Sequence, residues 1–110
     1  MSPIHKEMAA GRWHQLSLAE QMANIGSEYE RTLSWRRKGK PDLARGAFER
    51  MLELFDLTLD DRRWKGRRLR EIARAREAVC EEIDSEKIIG EFSKYFYYLA
   101  VLARREQGFV

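Results

Sequence analysis

One cysteine, Cys80, and two prolines are all that 110 positions contain of either residue. A lone cysteine excludes an intramolecular disulfide and fits a reducing compartment, so a cytoplasmic location is expected. Scarce proline, together with only seven glycines, leaves few interruptions and favours long helices. Histidine is nearly absent. His5 and His14 stand apart with no cysteine or carboxylate at ligand spacing, and no Glu-x-x-His pair occurs, so neither a zinc site nor a di-iron bundle site is expected. P-loop, dinucleotide turn and nucleophile elbow are all missing. An enzyme is not expected, and no cofactor or metal is implied.

Long apolar runs are missing too. The most hydrophobic stretch, Tyr95 to Ala103, is far too short to cross a bilayer, and Met1 to Glu7 lacks the apolar core of a signal peptide. No membrane partner is expected. The net charge is only +3, from 21 basic and 18 acidic residues, so an electrostatic partner must be sought in local clusters of charge. What is present is globular: 44% hydrophobic and 35% charged residues, in a length suited to one core and one domain.

The apolar spacing is helical throughout, with no alternating strand pattern. Ser17-Leu18-Ala19-Glu20 is a capping box, and Leu18, Met22, Ile25, Tyr29 and Leu33 recur at steps of three and four. These predict a first helix over about Leu18 to Lys38, stopped by Gly39. Pro41 suits the first turn of a second helix, Pro41 to Leu59, with Ala44, Ala47, Phe48, Met51, Phe55 and Thr58 inward. The two-residue connection makes these helices antiparallel. A third helix, about Arg67 to Ile83, carries Leu69, Ile72, Val79, Cys80 and Ile83 on one face. Asp84-Ser85 offers a cap for a fourth, about Glu86 to Glu106, with Ile88, Phe92, Tyr95, Phe96, Leu99 and Leu102 as its stripe. The expected fold is all-α, an up-and-down four-helix bundle over residues 17–110, preceded by a mobile or lightly ordered N-terminal extension, residues 1–16.

Three groups of residues stand out as candidate sites. Tyr97, Tyr98 and Val101 spread apolar surface onto the outer face of the fourth helix, more than a bundle helix needs inside, which suggests an oligomer or partner interface. Arg62, Arg63, Trp64, Lys65, Arg67, Arg68 and Arg70 gather cations around one aromatic, a composition suited to phosphate contact with base stacking. Against that, Asp60, Asp61, Glu71 and Glu77 flank the cluster, and Trp64 can equally close the end of the core. Arg76, between Ile72 and Val79, falls inside the apolar stripe and therefore needs a carboxylate. Its height on the third helix predicts Glu28 as that partner, with Tyr29 and, from the fourth helix, Tyr95 or Tyr98 beside it in a buried polar layer. Asn24, Ser27 and Glu28, beside the small residues Ala19, Ala23 and Gly26, form either a polar pocket or merely a close helix approach with local hydrogen bonds. Cys80, on an apolar face, reads as an inert small hydrophobe.

Three resemblances attach to these residues. Asn24-Ile25-Gly26-x-x-Tyr29, then Gly39, Ala44, Phe48 and Leu52, resembles one tetratricopeptide-type hairpin, although the first helix is too long and no second copy follows. Leu16 to Glu28, Ala47-Phe48-Glu49-Arg50 and Lys94-Tyr95-Phe96 are similar to a group of small helical prokaryotic proteins of unassigned function, which implies a bacterial or archaeal origin. The architecture also resembles HEPN domains, whose ribonuclease members use an arginine followed four to six residues later by histidine. Neither His5 nor His14 has an arginine at that distance upstream, so the resemblance implies no activity. The sequence thus leads to a helical interaction module that self-associates or docks on a partner protein through its fourth helix. The alternative is a nucleic-acid-binding accessory protein using residues 62–70.

Overall fold

The computed structural model describes residues 11–85 and 90–108. Among these residues four α-helices make up the fold: α1 Leu18–Arg37, α2 Pro41–Leu59, α3 Gly66–Asp84 and α4 Ser93–Glu106. No strand occurs among the described residues, and the architecture is the expected all-α four-helix bundle. The capping box at the start of α1 forms in both directions. Ser17 Oγ accepts from the Glu20 amide at 3.1 Å, and Glu20 Oε1 accepts from the Ser17 amide at 2.8 Å. Gly39, at φ 70, supplies the left-handed turn between α1 and α2, and Pro41 opens α2 where its missing N–H leaves no bond unmade.

α1 is the central element. It packs closely against α2 along one side and α4 along another, while α3 leans on α2. The start of α1 lies beside the end of α2, where Gln21 meets Asp61. The end of α4 lies beside the start of α1, where Ser17 Oγ donates to Glu106 at 2.6 Å. Both neighbours therefore run antiparallel to α1. Met22, Ile25, Tyr29 and Leu33 of α1, Met51 and Phe55 of α2, Val79 and Ile83 of α3 and Phe96 of α4 are all buried in one core.

Two expectations need correction. The N-terminal extension is not loose through residue 16. Trp13 sits in a one-turn 3-10 helix, Trp13–Gln15, and is fully buried. Its indole Nε1 donates to Thr58 Oγ1 at 3.1 Å, so burial of a large ring and a satisfied N–H fasten this turn to the end of α2. The fourth helix also does not run unbroken from Glu86 to Glu106; its expected start falls on residues 86–89, which lie outside the described residues. Ser85 ends α3, its amide donating to Glu81 and Glu82 carbonyls and its hydroxyl to Glu82 O at 2.7 Å. α4 begins only at Ser93, after Gly90 at φ 73. A left-handed backbone residue cannot lie inside a right-handed helix. Ile88, assigned to the stripe of the fourth helix, lies outside the described residues.

Candidate functional site

The basic segment resolves into two unlike parts. Arg63 and Trp64 belong to a buried polar knot at one end of the bundle. Gln21, fully buried, donates through Nε2 to Trp13 O and to Asp61 Oδ2, each at 2.9 Å, and its Oε1 accepts from Trp64 Nε1 at 2.8 Å. Asp61 in turn accepts from the Arg63 backbone amide at 3.1 Å and from its guanidinium at 3.0 and 2.7 Å. The guanidinium also donates to Leu16 O at 2.6 Å. Held by Arg63 first of all, and by Gln21, the Asp61 carboxyl stays well below the usual carboxylate range despite its burial. Trp64 is 9% exposed, with the Arg63 and Arg68 guanidinium groups 4.5 and 5.5 Å from its ring centre. A ring so covered is no platform for a nucleobase; it closes the core. Arg63 is exposed as well, but its guanidinium is taken up by Asp61 and Leu16 O. Arg62, Lys65, Arg67, Arg68 and Arg70 are exposed around the first turns of α3. That turn contains no acidic residue.

The predicted pair of Arg76 with Glu28 does not form. Arg76 is half-buried and does find a carboxylate, but it is Asp56 of α2, with Nε to Oδ1 at 3.1 Å. Glu28 holds Arg31 at 2.8 Å and Arg50 of α2 at 3.4 Å. Equal height on two helices fixes one coordinate only. Arg76 of α3 and Glu28 of α1 each reach α2, which supplies Asp56 to the one and Arg50 to the other, beside the Arg31 that Glu28 holds within α1. The buried polar layer exists around Tyr29 with a different carboxylate. Tyr29 Oη donates to Glu82 Oε1 at 2.6 Å and accepts from the Phe92 amide at 3.1 Å, while Glu82 Oε2 accepts from the Glu91 amide at 2.9 Å. Burial, and then the hydrogen bond to Glu82, push the Tyr29 phenol well above its ordinary value. No simple sequence signal marked Glu82, which reads as a surface residue of α3 until the chain folds back at Gly90.

Asn24 and Ser27 resolve to local chemistry. The Asn24 amide donates to Glu20 O at 2.8 Å and the Ser27 hydroxyl to Ala23 O at 3.3 Å. Gly26 is small because Phe96 presses on it: a methyl added there falls 2.6 Å from Phe96 Cβ. Cys80 is half-buried, and that burial pushes its thiol up. His5 lies outside the described residues, and His14 is half-buried in the 3-10 turn. Among the described residues no group of three His, Cys, Asp or Glu side chains stands close enough to hold a metal, and no helix is long and apolar enough to cross a membrane.

The aromatic face of α4 is open. Tyr97 and Tyr98 are 72% and 65% exposed, Tyr95 is 42% exposed, and Val101 is half-buried. Tyr95 was expected inside the core stripe; it instead stands on the rim of a groove of about 500 Å³ between α3 and α4. Leu18 and Met22 of α1 with Ile72 of α3 floor that groove. Ala75 and Ala78 form one wall, and Phe92, Tyr95 and Leu99 the other. No protein-family model, curated protein or solved structure matches this chain.

Proposed function

We propose that the protein is a non-catalytic helical interaction module that self-associates or docks on a partner protein through α4. The observation that carries this reading is the pair of exposed rings, Tyr97 and Tyr98, which have 72% and 65% of their surface in water. Tyrosines supply large, stiff, amphipathic contact area and are enriched where proteins meet. Two-fold assembly through such a face is the commonest closed arrangement. A cytoplasmic location and a prokaryotic origin go with this proposal, on the strength of the single cysteine and of the resemblance of the Leu16 to Glu28 segment. The test is mass measured by light scattering at rising concentration, with the double variant Tyr97→Ser, Tyr98→Ser beside the parent. A dimer that becomes monomeric in the variant supports the proposal; a parent that stays monomeric at high micromolar concentration with no partner retained on α4 overturns it.

A second reading, binding of nucleic acid, draws on the exposed cations Arg62, Lys65, Arg67, Arg68 and Arg70 at the start of α3. Cations there oppose the positive end of the helix dipole, which an anion relieves. Its test replaces Arg62, Arg67 and Arg70 by alanine and leaves Arg63 alone, because Arg63 holds Asp61. Each lost phosphate contact flattens the salt dependence by roughly one unit of slope.

A further inference from the structure

α3 and α4 flank α1 and do not close on each other. α3 leans on α2 and α4 packs on α1, so the apolar strip between them faces outward with nothing among the described residues across it. The two walls differ in height. On α3 the side chains end at the methyls of Ala75 and Ala78, which lets another backbone come close, at the 8–10 Å axis separation of packed helices. On α4 the wall is built of rings. α4 has 14 residues, a length of roughly 21 Å, against which about four turns of a helix can lie.

The rim carries the charge that selects the occupant. Arg68 and Arg74 line the groove with Glu71 between them, and Arg67 stands exposed four residues before Glu71, on the same side of α3. The positive end of the α3 dipole adds to these cations. Across the gap stands Tyr95, whose phenol, like any tyrosine's at neutral pH, carries its proton and can donate. A rim of two guanidinium groups and one phenol against one carboxylate, with Arg67 exposed just outside it, disfavours a basic partner and matches an acidic one.

We propose that this groove receives an amphipathic α-helix of another protein, with apolar side chains at i, i+3 or i+4 and i+7 on the groove floor and Asp or Glu on its flanks against Arg68 and Arg74. The inference rests on the reading of the protein as an interaction module, and it names a site distinct from the outer Tyr97 face.

The test uses the full chain and two designed helical peptides of about 15 residues. Both carry the same leucine face; one has glutamate flanks and the other lysine flanks. Fluorescence anisotropy is expected to show saturable binding of the acidic peptide and at least tenfold weaker binding of the basic one. Ala78→Arg, which fills the groove from a helix position tolerant of arginine, abolishes binding. Arg74→Glu, at an exposed position, weakens the acidic peptide and favours the basic one. Tyr97→Ser, on the other flank of α4, leaves binding unchanged while testing self-association separately by mass. Equal binding of the two peptides, or no saturable binding at high micromolar concentration, overturns the proposal. So does binding that Ala78→Arg leaves intact and salt removes, which would mark a polyanion on α3. Loss of self-association in Ala78→Arg without peptide binding by the parent also overturns it, because the occupant is then a second copy.

Discussion

Gln21 and Asp61, forty residues apart in the chain, are joined by a 2.9 Å hydrogen bond with 0% and 3% of their surfaces exposed. Both carboxamide protons of Gln21 are used, one on Asp61 and one on Trp13 O, and its oxygen receives the Trp64 indole. The polar knot therefore ties the 3-10 turn, α1 and the α2–α3 connection through one side chain. Gln21→Leu keeps the volume but strands the Trp64 N–H and removes a donor from a buried carboxylate. A loss of about 3 kcal/mol is expected in urea unfolding, since each unmet buried group costs 1–3 kcal/mol. A loss below 0.5 kcal/mol would show that water replaces the amide.

Asp61 is expected to contribute to the loss of stability in acid. Its carboxyl is depressed in the folded chain, chiefly by Arg63, whereas an unfolded aspartate titrates near 3.9. The native state therefore binds the proton more weakly than the unfolded state does. The stabilisation is fully present above about pH 4 and is lost as pH falls through the lower, folded value. Asp61→Asn is expected to be less stable at neutral pH, with a flatter loss of stability below about pH 4. Parallel acid limbs in parent and variant would contradict this.

At Gly26 two effects oppose each other. Replacing a mid-helix glycine by alanine ordinarily stabilises by up to about 1 kcal/mol. Here the new methyl meets Phe96 Cβ and Cγ at 2.6 and 2.8 Å, and Cβ moves only with the α4 backbone. Overpacking costs about 1–3 kcal/mol, so Gly26→Ala is expected to destabilise by roughly 1–2 kcal/mol. Thermal melting checks the sign.

Tyr29→Phe leaves the ring contacts with Phe92 and Phe96 in place, at 6.2 and 5.2 Å between centres. It removes only the hydroxyl that serves Glu82 and the Phe92 amide. A loss of about 1–2 kcal/mol is expected. Amide exchange at Glu91 and Phe92 should quicken more than exchange in α2, because the start of α4 is held through this bond. Uniform quickening would assign the loss to global stability alone.

For Glu28→Ala a small effect is expected, about 1 kcal/mol or less. Its partners Arg31 and Arg50 have 58% and 31% of their side chains exposed and regain water when the carboxylate goes. A loss near 3 kcal/mol would instead indicate a stranded buried charge.

The first three helices, most of their stripes and the capping box were legible because each rests on neighbours within one turn of chain; the start of the fourth helix and the place of Tyr95 were not. Pro41 at the head of α2, Ser17 with Glu20, and the three-and-four spacing of Met22, Ile25 and Tyr29 depend on nothing distant. Errors arose where a residue faces another helix. The spacing along α3 placed Arg76 at the height of Glu28 but said nothing of azimuth, and Asp56 lay nearer. Arg63 and Trp64 looked like a phosphate and base site because composition does not reveal that Asp61 and Gln21 turn inward.

By itself, the sequence determined an all-α chain, the bounds of α2 and the exposure of Tyr97 and Tyr98, since local hydrogen bonding and periodicity decide these. Only the tertiary structure decided which carboxylate each buried donor meets, that Trp13 joins the core, that Gly90 delays α4 to Ser93, and that α3 and α4 stand apart with a groove between them. The reason is geometric. A helix fixes its own side-chain directions every 3.6 residues, but its rotation and tilt against its neighbours are settled by packing summed over the whole core.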